Sequence, residues 1–341
     1  MPTASSRARV PWHAIFIAAL TALLLWLFLR NVAFGELFAA LARASPLYIV
    51  AAVLVTLQTY LLRARRWQSL LAPIGPSRFR TAFRTTVIGF AVNTLIPRAG
   101  EVVRPYLLAR REGLPASASF ATIVVERLLD LVSVLLLFAA AMPFIPVDVG
   151  PEVRASGIIA AATALTGLVV LFASAGHPER LGRWANALGQ WLPRRLGHAL
   201  AGLVRTFAEG LAIMRRPGLL AIAMLWSVPL WLSLALGIWL TSLAFDLTFS
   251  YPGTFLVMMF LVVGVSVPTP GGSMGAFHYA YLLAVTRFFG ANPDVAAAAG
   301  LVLHVVSFLP VTLVGLVFMW QDGLTFARLR GLQDEVTHEK T

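Results

Sequence analysis

The stretch Asn93-Thr94-Leu95-Ile96-Pro97-Arg98-Ala99-Gly100-Glu101 interrupts an apolar run with a proline, a glycine and two charged residues. Pro268-Thr269-Pro270-Gly271-Gly272 interrupts a second apolar run in the other half of the chain. Lipid cannot hydrogen-bond a broken backbone, so breaks within a membrane must be surrounded by protein or line a polar cavity. Gly/Pro-interrupted segments in both halves of a chain indicate a transporter-like site at a repeat interface. The predicted breaks are Pro97 and Gly100 in the first stretch, and Pro268, Pro270, Gly271 and Gly272 in the second.

The composition places the chain in a membrane. Of its 341 residues 59% are hydrophobic and only 12% are charged, with a mean hydropathy of +0.81. A soluble domain carries about 25% charged residues. The net charge is +12, but most arginines lie beside apolar runs, so they indicate span orientation and anionic lipid head groups rather than a nucleic-acid partner. The absence of cysteine excludes disulfides and thiolate chemistry.

The hydropathy pattern predicts an all-α polytopic protein with about six transmembrane helices and two re-entrant broken-helix hairpins. The first hairpin, at about 82–111, enters from the cytoplasmic side, and the second, at about 254–289, enters from outside. Span–hairpin–span then occurs twice in opposite orientation, as an inverted repeat. If both broken segments were full spans, the chain would cross eight times, and hydropathy leaves that alternative open. The full spans are placed at about 14–29, 47–62, 118–142, 156–175, 219–243 and 295–320.

We predict one membrane domain over 1–341, with halves at about 1–145 and 155–325. Both termini are expected in the cytoplasm, and the first span is expected to be an uncleaved anchor. Arg63, Arg65 and Arg66 would mark the cytoplasmic side, with Trp67 as an interfacial anchor. The polar region at about 177–217 has tryptophans and leucines at helical spacing beside arginines, which is typical of an amphipathic helix on the inner leaflet. A solvated cytoplasmic hairpin is the alternative for that region.

Charged residues follow the first break at intervals of three. If a helix restarts at about Gly100, then Arg98, Glu101 and Arg104 share one face, and the carboxylate lies between two guanidiniums. A helix start also presents free N–H groups that suit a phosphate. We therefore predict that Arg98 and Arg104 hold a lipid phosphate, with Asn93 nearby as a helix-contact or site residue. The alternative is a structural ion-pair clasp.

Three charges lie inside the third predicted span. Each would cost about 2.5–3.5 kcal/mol at the bilayer centre, so Glu126, Arg127 and Asp130 must face protein or water. Glu126 and Asp130 share a helix face, and Arg127 reaches Asp130 at i, i+3. They are predicted to form the acidic wall of a cavity or to pair with Arg98 or Arg104. A buried structural pair is the alternative.

The second break carries hydroxyl groups instead of charges. Thr269 and Ser273, with the exposed backbone groups of the break, are predicted to bind a polar head group; a tight structural turn is the alternative. His278 follows the break and His304 lies in the last span. Both are candidates to face the cavity, although a packing histidine is the more ordinary role.

Several motifs together resemble the lysylphosphatidylglycerol synthase transmembrane family of flippase-like membrane proteins. These are Arg65-Arg66-Trp67, the run from Gly89 to Glu101 with Arg104, Glu126-Arg127 with Asp130, and Pro268 to Gly272. The resemblance implies a flippase-like fold in a bacterial or archaeal cytoplasmic membrane. It also implies that the matching polar residues are functional: Asn93, Arg98, Glu101, Arg104, Glu126, Arg127 and Asp130.

Two departures from the family pattern matter. Many relatives place a glutamate soon after the Pro-Gly-Gly turn, where this chain has Phe277 and His278. The chain also shows no aminoacyl-transferase domain after its last span, so lysine transfer is not expected.

The sequence therefore predicts a stand-alone lipid flippase of the bacterial inner membrane, moving a phosphate-bearing lipid between leaflets. No nucleotide-binding, hydrolase or metal-ligand motif occurs, so we expect no enzymatic activity, no cofactor and no metal. The expected partners are a membrane lipid and, as further options, a lipid-modifying enzyme or a second copy of the chain. A non-transporting accessory protein is the main alternative, and a membrane-embedded transferase is a weaker one.

Overall fold

The computed structural model describes residues 12–30, 32–146, 216–267 and 269–324, with a few helical positions between 150 and 166. Over this part of the chain the structure is helical and contains no strand. Pro268, residues 177–215 of the predicted amphipathic segment and most of the predicted fourth span lie outside the described residues. The all-helical prediction is confirmed for the part that is described.

The helices follow the predicted order. The first half contains α1 (Trp12–Leu29), α2 (Phe34–Arg43), α3 (Pro46–Leu71), α4 (Phe79–Leu95), α5 (Gly100–Glu112) and α6 (Ala116–Ala141). The second half contains α7 (Pro217–Leu243), α8 (Tyr251–Ser266), a single turn (Pro270–Ser273), α9 (Ala276–Phe289) and α10 (Pro293–Gln321). Prolines stand in the first turn of α3, α7, α8 and α10, where the missing N–H has no helical partner in any case.

Three of the described helices, α3, α7 and α10, are long and apolar enough to cross a membrane. A fourth crossing is possible through α1 and α2, which bend by 79° between Leu29 and Phe34. Helix α6 has 26 residues but carries Glu126, Arg127 and Asp130. The described residues thus contain three or four apolar spans, and they do not establish the predicted count of six.

Helices α4 and α5 form the first hairpin. They run antiparallel and so close together that a Cβ on Gly100 would overlap the carbonyl oxygen of Gly89. At the open end Arg78 Nε lies 3.7 Å from Glu112 Oε2. The chain breaks between α4 and α5, and α5 restarts at Gly100 as predicted. Asn93 Oδ1 accepts a hydrogen bond of 2.7 Å from the Gly100 N–H, which satisfies one of the free amides of the new helix.

Helices α8 and α9 form the second hairpin. Gly264 lies against Ala276 and Ala280 near the tip, and Gly253 lies against Phe289 at the open end. The tip contains the turn Pro270–Ser273, in which Gly271 and Gly272 have φ of 68° and 75°. These are left-handed conformations that glycine adopts without a steric penalty, so the Gly-Gly pair makes the reversal possible.

Helix α10 shows that the two hairpins point in opposite directions. Its first residue follows α9 after a short loop, so the second hairpin opens at the start of α10. Its middle reaches the tip of that hairpin, where His304 Nε2 lies 3.2 Å from the Gly272 carbonyl oxygen. Its end reaches the open end of the first hairpin, where Asp322 pairs with Arg84 at 2.9 Å and also with Arg111. The two hairpins thus open in opposite directions, as an inverted arrangement requires; the complete inverted repeat includes the predicted fourth span, most of which lies outside the described residues.

The described helices pack around four buried apolar clusters, and the two largest join most of these helices. The larger core joins α8, α9 and α10 to α2, α6 and α7. A smaller core around Trp67, Leu108 and Leu129 joins α3 and α4 to α5, α6 and α7. The smaller core matters for function because charged side chains are buried beside it.

Candidate functional site

Arg66 on α3 is the centre of a buried charge cluster. Its Nη1 lies 2.6 Å from Asp130 Oδ1, and its Nη2 lies 3.1 Å from Glu126 Oε1. Nη1 also donates to Ser227 Oγ on α7 at 3.2 Å. Arg66 and Glu126 are fully buried. One guanidinium therefore ties three helices together, and its flat fork suits two carboxylates at once.

Arg104 on α5 completes the cluster. Its Nη1 donates to the same Glu126 oxygen that accepts from Arg66, at 3.1 Å. The guanidinium carbon lies 3.9 Å from the centre of the Trp67 ring, a cation–π contact. Trp67 is fully buried and its Nε1 donates to Thr122 Oγ1 at 2.9 Å. The prediction that Trp67 is an interfacial anchor is wrong, because its ring supports Arg104 inside the protein.

An outer, partly exposed layer covers this cluster. Arg127 Nε lies 3.9 Å from Glu101 Oε1, and Arg127 Nη1 lies 3.6 Å from Asp130 Oδ2. The predicted contact between Arg127 and Asp130 is confirmed, and so is the pairing of Glu126 with Arg104. The predicted bracket around Glu101 is wrong: Glu101 pairs with Arg127 of α6, because α5 turns Arg104 inward towards α6.

Arg98 lies at the tip of the first hairpin and reaches the second. It has a φ of 63°, a left-handed conformation that is uncommon for a residue other than glycine. Its exposed side chain donates from Nη2 to the Ser266 carbonyl oxygen, at the end of α8, at 3.2 Å. The turn Pro270–Ser273 also packs against α4. The two breaks therefore meet, as their positions in the sequence predict.

The polar side chains of the second break bond to their own backbone. Thr269 Oγ1 donates to the Met274 carbonyl oxygen at 2.9 Å, and Ser273 Oγ donates to the Val265 carbonyl oxygen at 3.0 Å. His278 is buried, and its Nδ1 accepts from the Gly275 N–H at 3.2 Å. The rings of His278 and His304 lie 4.6 Å apart. These contacts are the ones expected for a structural turn. Each hydroxyl already donates its hydrogen to a backbone carbonyl, so towards a ligand it can only accept a hydrogen bond.

Sequence reasoning missed the contribution of α3. Arg63 and Arg66 were interpreted as cytoplasmic markers, and Ser227 was not singled out. A signal was present, because residues 63, 66, 67 and 70 fall on one face of a helix while Arg65 points away. Arg63, Arg66 and Trp67 are buried and Arg65 is exposed, as that spacing requires.

Several polar atoms of the cluster have no hydrogen-bond partner among the described residues. They are Arg104 Nε and Nη2, Arg66 Nε, Arg63 Nε and Glu126 Oε2. Buried polar atoms of native proteins are nearly always paired, so these atoms leave capacity for a ligand, an ion or water. No group of three or more His, Asp or Glu side chains within the described ranges is arranged to hold a metal ion.

Two opposed broken-helix hairpins, meeting beside buried charges in a bundle of apolar helices, define a multi-pass membrane protein of the broken-helix type. The family described as the lysylphosphatidylglycerol synthase TM region matches residues 13–315, and the chain belongs to this family. The resemblance found in the motifs is thereby confirmed.

Similar proteins occur in archaea, and two of them are described as membrane proteins. The chain is 24% identical over 300 residues to a UPF0104 membrane protein of Methanothermobacter thermautotrophicus, covering 82% of this chain and 87% of the relative. It is 24% identical over 331 residues to a second UPF0104 membrane protein of that archaeon, covering 92% and 93%. It is 25% identical over 350 residues to the glycosyltransferase AglD of Haloferax volcanii, covering 91% of this chain and 54% of the relative.

Proposed function

We propose that the protein moves a phosphate-bearing lipid between the two leaflets of its membrane. The observation that carries this proposal is the contact between the two hairpin tips, made by Arg98 and the Ser266 carbonyl beside a layer of charges. In the proposed mechanism the meeting tips are the barrier, because the hairpins approach each other from opposite ends. Separating the tips would open a polar path at the edge of the lipid.

The exposed charges suit a phosphate at this place. Arg98 is bound to a single backbone carbonyl, so its other N–H groups are free to form a bidentate contact with a phosphate. Arg104 offers Nε and Nη2 deeper in the protein. The Glu101–Arg127 pair lies between these two depths and is partly exposed. In the proposed path the phosphate exchanges its water for these groups, while the acyl chains stay in the bilayer.

The remaining features of the proposal follow from charge and from the family. We infer that the open end of the first hairpin, with Arg78, Arg84, Arg110 and Arg111, faces the cytoplasm together with both termini. We further infer a bacterial inner membrane, and no enzymatic activity, since the sequence motifs place no nucleophile at a readable spacing from a base. A lipid is the partner, and aminoacyl-phospholipids, glycolipids and isoprenoid lipids all fit the chemistry.

The test is a leaflet-translocation assay on the full chain reconstituted into phosphatidylcholine vesicles. Fluorescent phosphatidylglycerol is added, and a membrane-impermeant quencher reports the fraction that remains in the inner leaflet. We expect Arg98→Ala and Glu101→Ala to reduce translocation about tenfold or more, since each removes a charged contact worth about 1.5–3 kcal/mol. Arg110→Ala is the matched control, because Arg110 is exposed on the same helix, away from the tips.

If Arg98→Ala and Glu101→Ala translocate lipid at the rate of the control, the proposed role of these two residues in transport is rejected. The transport function would be rejected if the unaltered protein did not raise translocation above that of protein-free vesicles, either for phosphatidylglycerol or for a polyprenyl phosphate.

A second candidate is an accessory protein that holds a lipid-modifying enzyme. It is favoured by the relative named glycosyltransferase AglD. The region that matches this chain occupies only 54% of AglD, so in that protein the matching region is part of a longer chain. Co-purification of a lipid-modifying enzyme, with unchanged lipid sidedness after gene deletion, would support this candidate against transport.

A further inference from the structure

A groove on the outside of the helix bundle contains almost only apolar side chains. It lies between α3, α4 and α10 and has a volume of about 390 Å³. Leu54, Leu57, Leu61, Val87 and Val314 are among the residues that line it. Leu54 and Leu61 are strongly exposed, so the groove opens towards the surrounding hydrocarbon.

Arg63 lies just beyond the polar end of this groove. Tyr60 lines the groove and packs on Phe90 of α4, with the ring centres 5.1 Å apart. The guanidinium carbon of Arg63 lies 4.8 Å from the centre of the same Phe90 ring. Tyr60 and Arg63 are separated by one turn of α3 and share a face. The groove and the guanidinium thus adjoin the same aromatic ring.

Arg63 is a buried cation that forms no ion pair, although the charge of Asp130 acts on it from further away. Only 8% of it is exposed, and it makes no hydrogen bond or ion pair with any residue that the structure describes. Arg66 and Arg104, in contrast, share Glu126 and Asp130. Three buried guanidiniums therefore face two buried carboxylates, which leaves one positive charge unbalanced. A buried unpaired charge within a membrane protein is costly, and such residues mark substrate or ion pathways.

Along α3 the side chains change from charged to polar to apolar, in the same order as the groups of a lipid from head group to acyl chain. Arg63 is charged, Gln58 about one and a half turns earlier is an exposed amide, and Leu54 one turn further is apolar. Gln58 lines the groove and has no hydrogen-bond partner among the described side chains. A lipid with its phosphate at Arg63 would place its ester or first polar atoms near Gln58 and its chain along the leucines. Free phosphate would leave the groove unfilled.

We propose that this groove, with Arg63 at its end, is a binding site for the chain and phosphate of a net anionic lipid. The lipid supplies the missing negative charge, and a zwitterionic lipid, whose own cation competes with the guanidinium, binds less well. Phe90 precedes Asn93 by one turn on α4, so a lipid held here lies next to the first break. The assignment of a lipid-binding site is independent of the proposed function. Its further role as the entry site of the transported lipid rests on that function.

Photolabelling tests the site on the full chain in phosphatidylcholine nanodiscs. Trace phosphatidylglycerol or phosphatidylcholine carries a photoreactive group in one acyl chain, and labelled peptides are measured by mass spectrometry. We expect phosphatidylglycerol to label peptides around Leu57 and Val314 at least several-fold more than phosphatidylcholine does. Arg63→Gln should remove this preference, so that the two lipids label these peptides about equally. Arg63→Lys, which keeps the charge, should retain part of it.

Matched control variants are available on α3 and on α10. Arg65→Gln changes an exposed arginine two residues away and should keep the preference. Val314→Trp fills the groove and should reduce labelling, whereas Val317→Trp adds the same side chain at a half-exposed position that does not line it and should not. If Arg63→Gln fails to fold, as judged by size-exclusion chromatography, the tryptophan pair decides the question.

Equal labelling by the two lipids in the unaltered protein would overturn this assignment, and so would unchanged labelling in both Arg63→Gln and Val314→Trp. Specific labelling without translocation would support the site and reject transport. Translocation without specific labelling would support transport and reject the site.

Discussion

The two hairpin tips break the helix in different ways. The first tip carries charge: Arg98 is exposed and Glu101 contacts Arg127 of another helix. The second tip carries none, and its hydroxyls bond to nearby backbone carbonyls. Asn93 and Thr94 in the first tip also bond to the backbone of their own hairpin. The comparison teaches that a broken helix can either expose charged side chains or satisfy its polar groups within its own turn. In this protein a tip of the first kind contacts a tip of the second kind.

The largest effect is expected from the packing of the first hairpin. In Gly100→Ala the new Cβ would overlap the Gly89 carbonyl oxygen, a backbone atom that cannot move aside. We expect a loss of about 3 kcal/mol or more in the free energy of unfolding, measured by denaturation in mixed micelles. Gly35→Ala is the control, since nothing lies within 4 Å of a Cβ there. Equal stability of the two variants would contradict the close antiparallel hairpin.

Removing the shared carboxylate should have a comparably large effect. Glu126→Gln leaves Arg66 and Arg104 buried with only Asp130 to balance them. Breaking a buried ion pair in this way costs about 3–5 kcal/mol, measured by the same unfolding assay. Glu36→Gln changes an exposed glutamate of α2 and should cost much less. A small loss in Glu126→Gln would show that water reaches the cluster and screens its charges.

The glycines of the second tip should differ from each other. In Gly272→Ala the Cβ would lie 2.7 Å from the Phe308 ring and φ would stay at 75°. In Gly271→Ala the nearest atom is the flexible end of Met274, at 3.1 Å. Both variants keep a strained φ, which costs about 1–3 kcal/mol, and Gly272→Ala should be the less stable. The reverse order of melting temperatures would contradict the packing of this turn on α10.

The smallest effect is expected from the hydroxyls of the second tip. Thr269→Val and Ser273→Ala each remove one hydrogen bond to a carbonyl, with a loss of about 1 kcal/mol. Lipid translocation, corrected for the amount of folded protein, should not change. A transport defect as large as that of Arg98→Ala would show that the second tip also binds the head group, and the contrast between the tips would disappear.

Much of the arrangement was predictable from local sequence. Pro97 and Gly100 locate the first break, and α5 starts where the restart was predicted. Glu126 and Asp130 were expected to be buried and paired because hydrocarbon rejects their charges. The opposite direction of the two hairpins followed from the positions of arginines and apolar runs. Each of these features depends on short-range chain stereochemistry or on the cost of placing charge in lipid.

Partner choice was less predictable. Glu101 was assigned to Arg98 and Arg104 by helical spacing, yet the neighbouring helix α6 provides Arg127 instead. Arg66 and Trp67 were interpreted as surface residues because arginine and tryptophan are common at membrane interfaces. The neighbouring helices bury them, and their hydrogen bonds join segments more than fifty residues apart.

By itself, the amino-acid sequence determined that this is a helical membrane protein with two breaks and charges at depth, because apolar length, proline, glycine and arginine position act locally. Only the tertiary structure decided which charges meet, which tip closes on its own backbone, and which guanidinium forms no ion pair. Those outcomes depend on how helices distant in sequence pack, since a side chain's partner is set by the neighbour that burial brings within hydrogen-bonding distance.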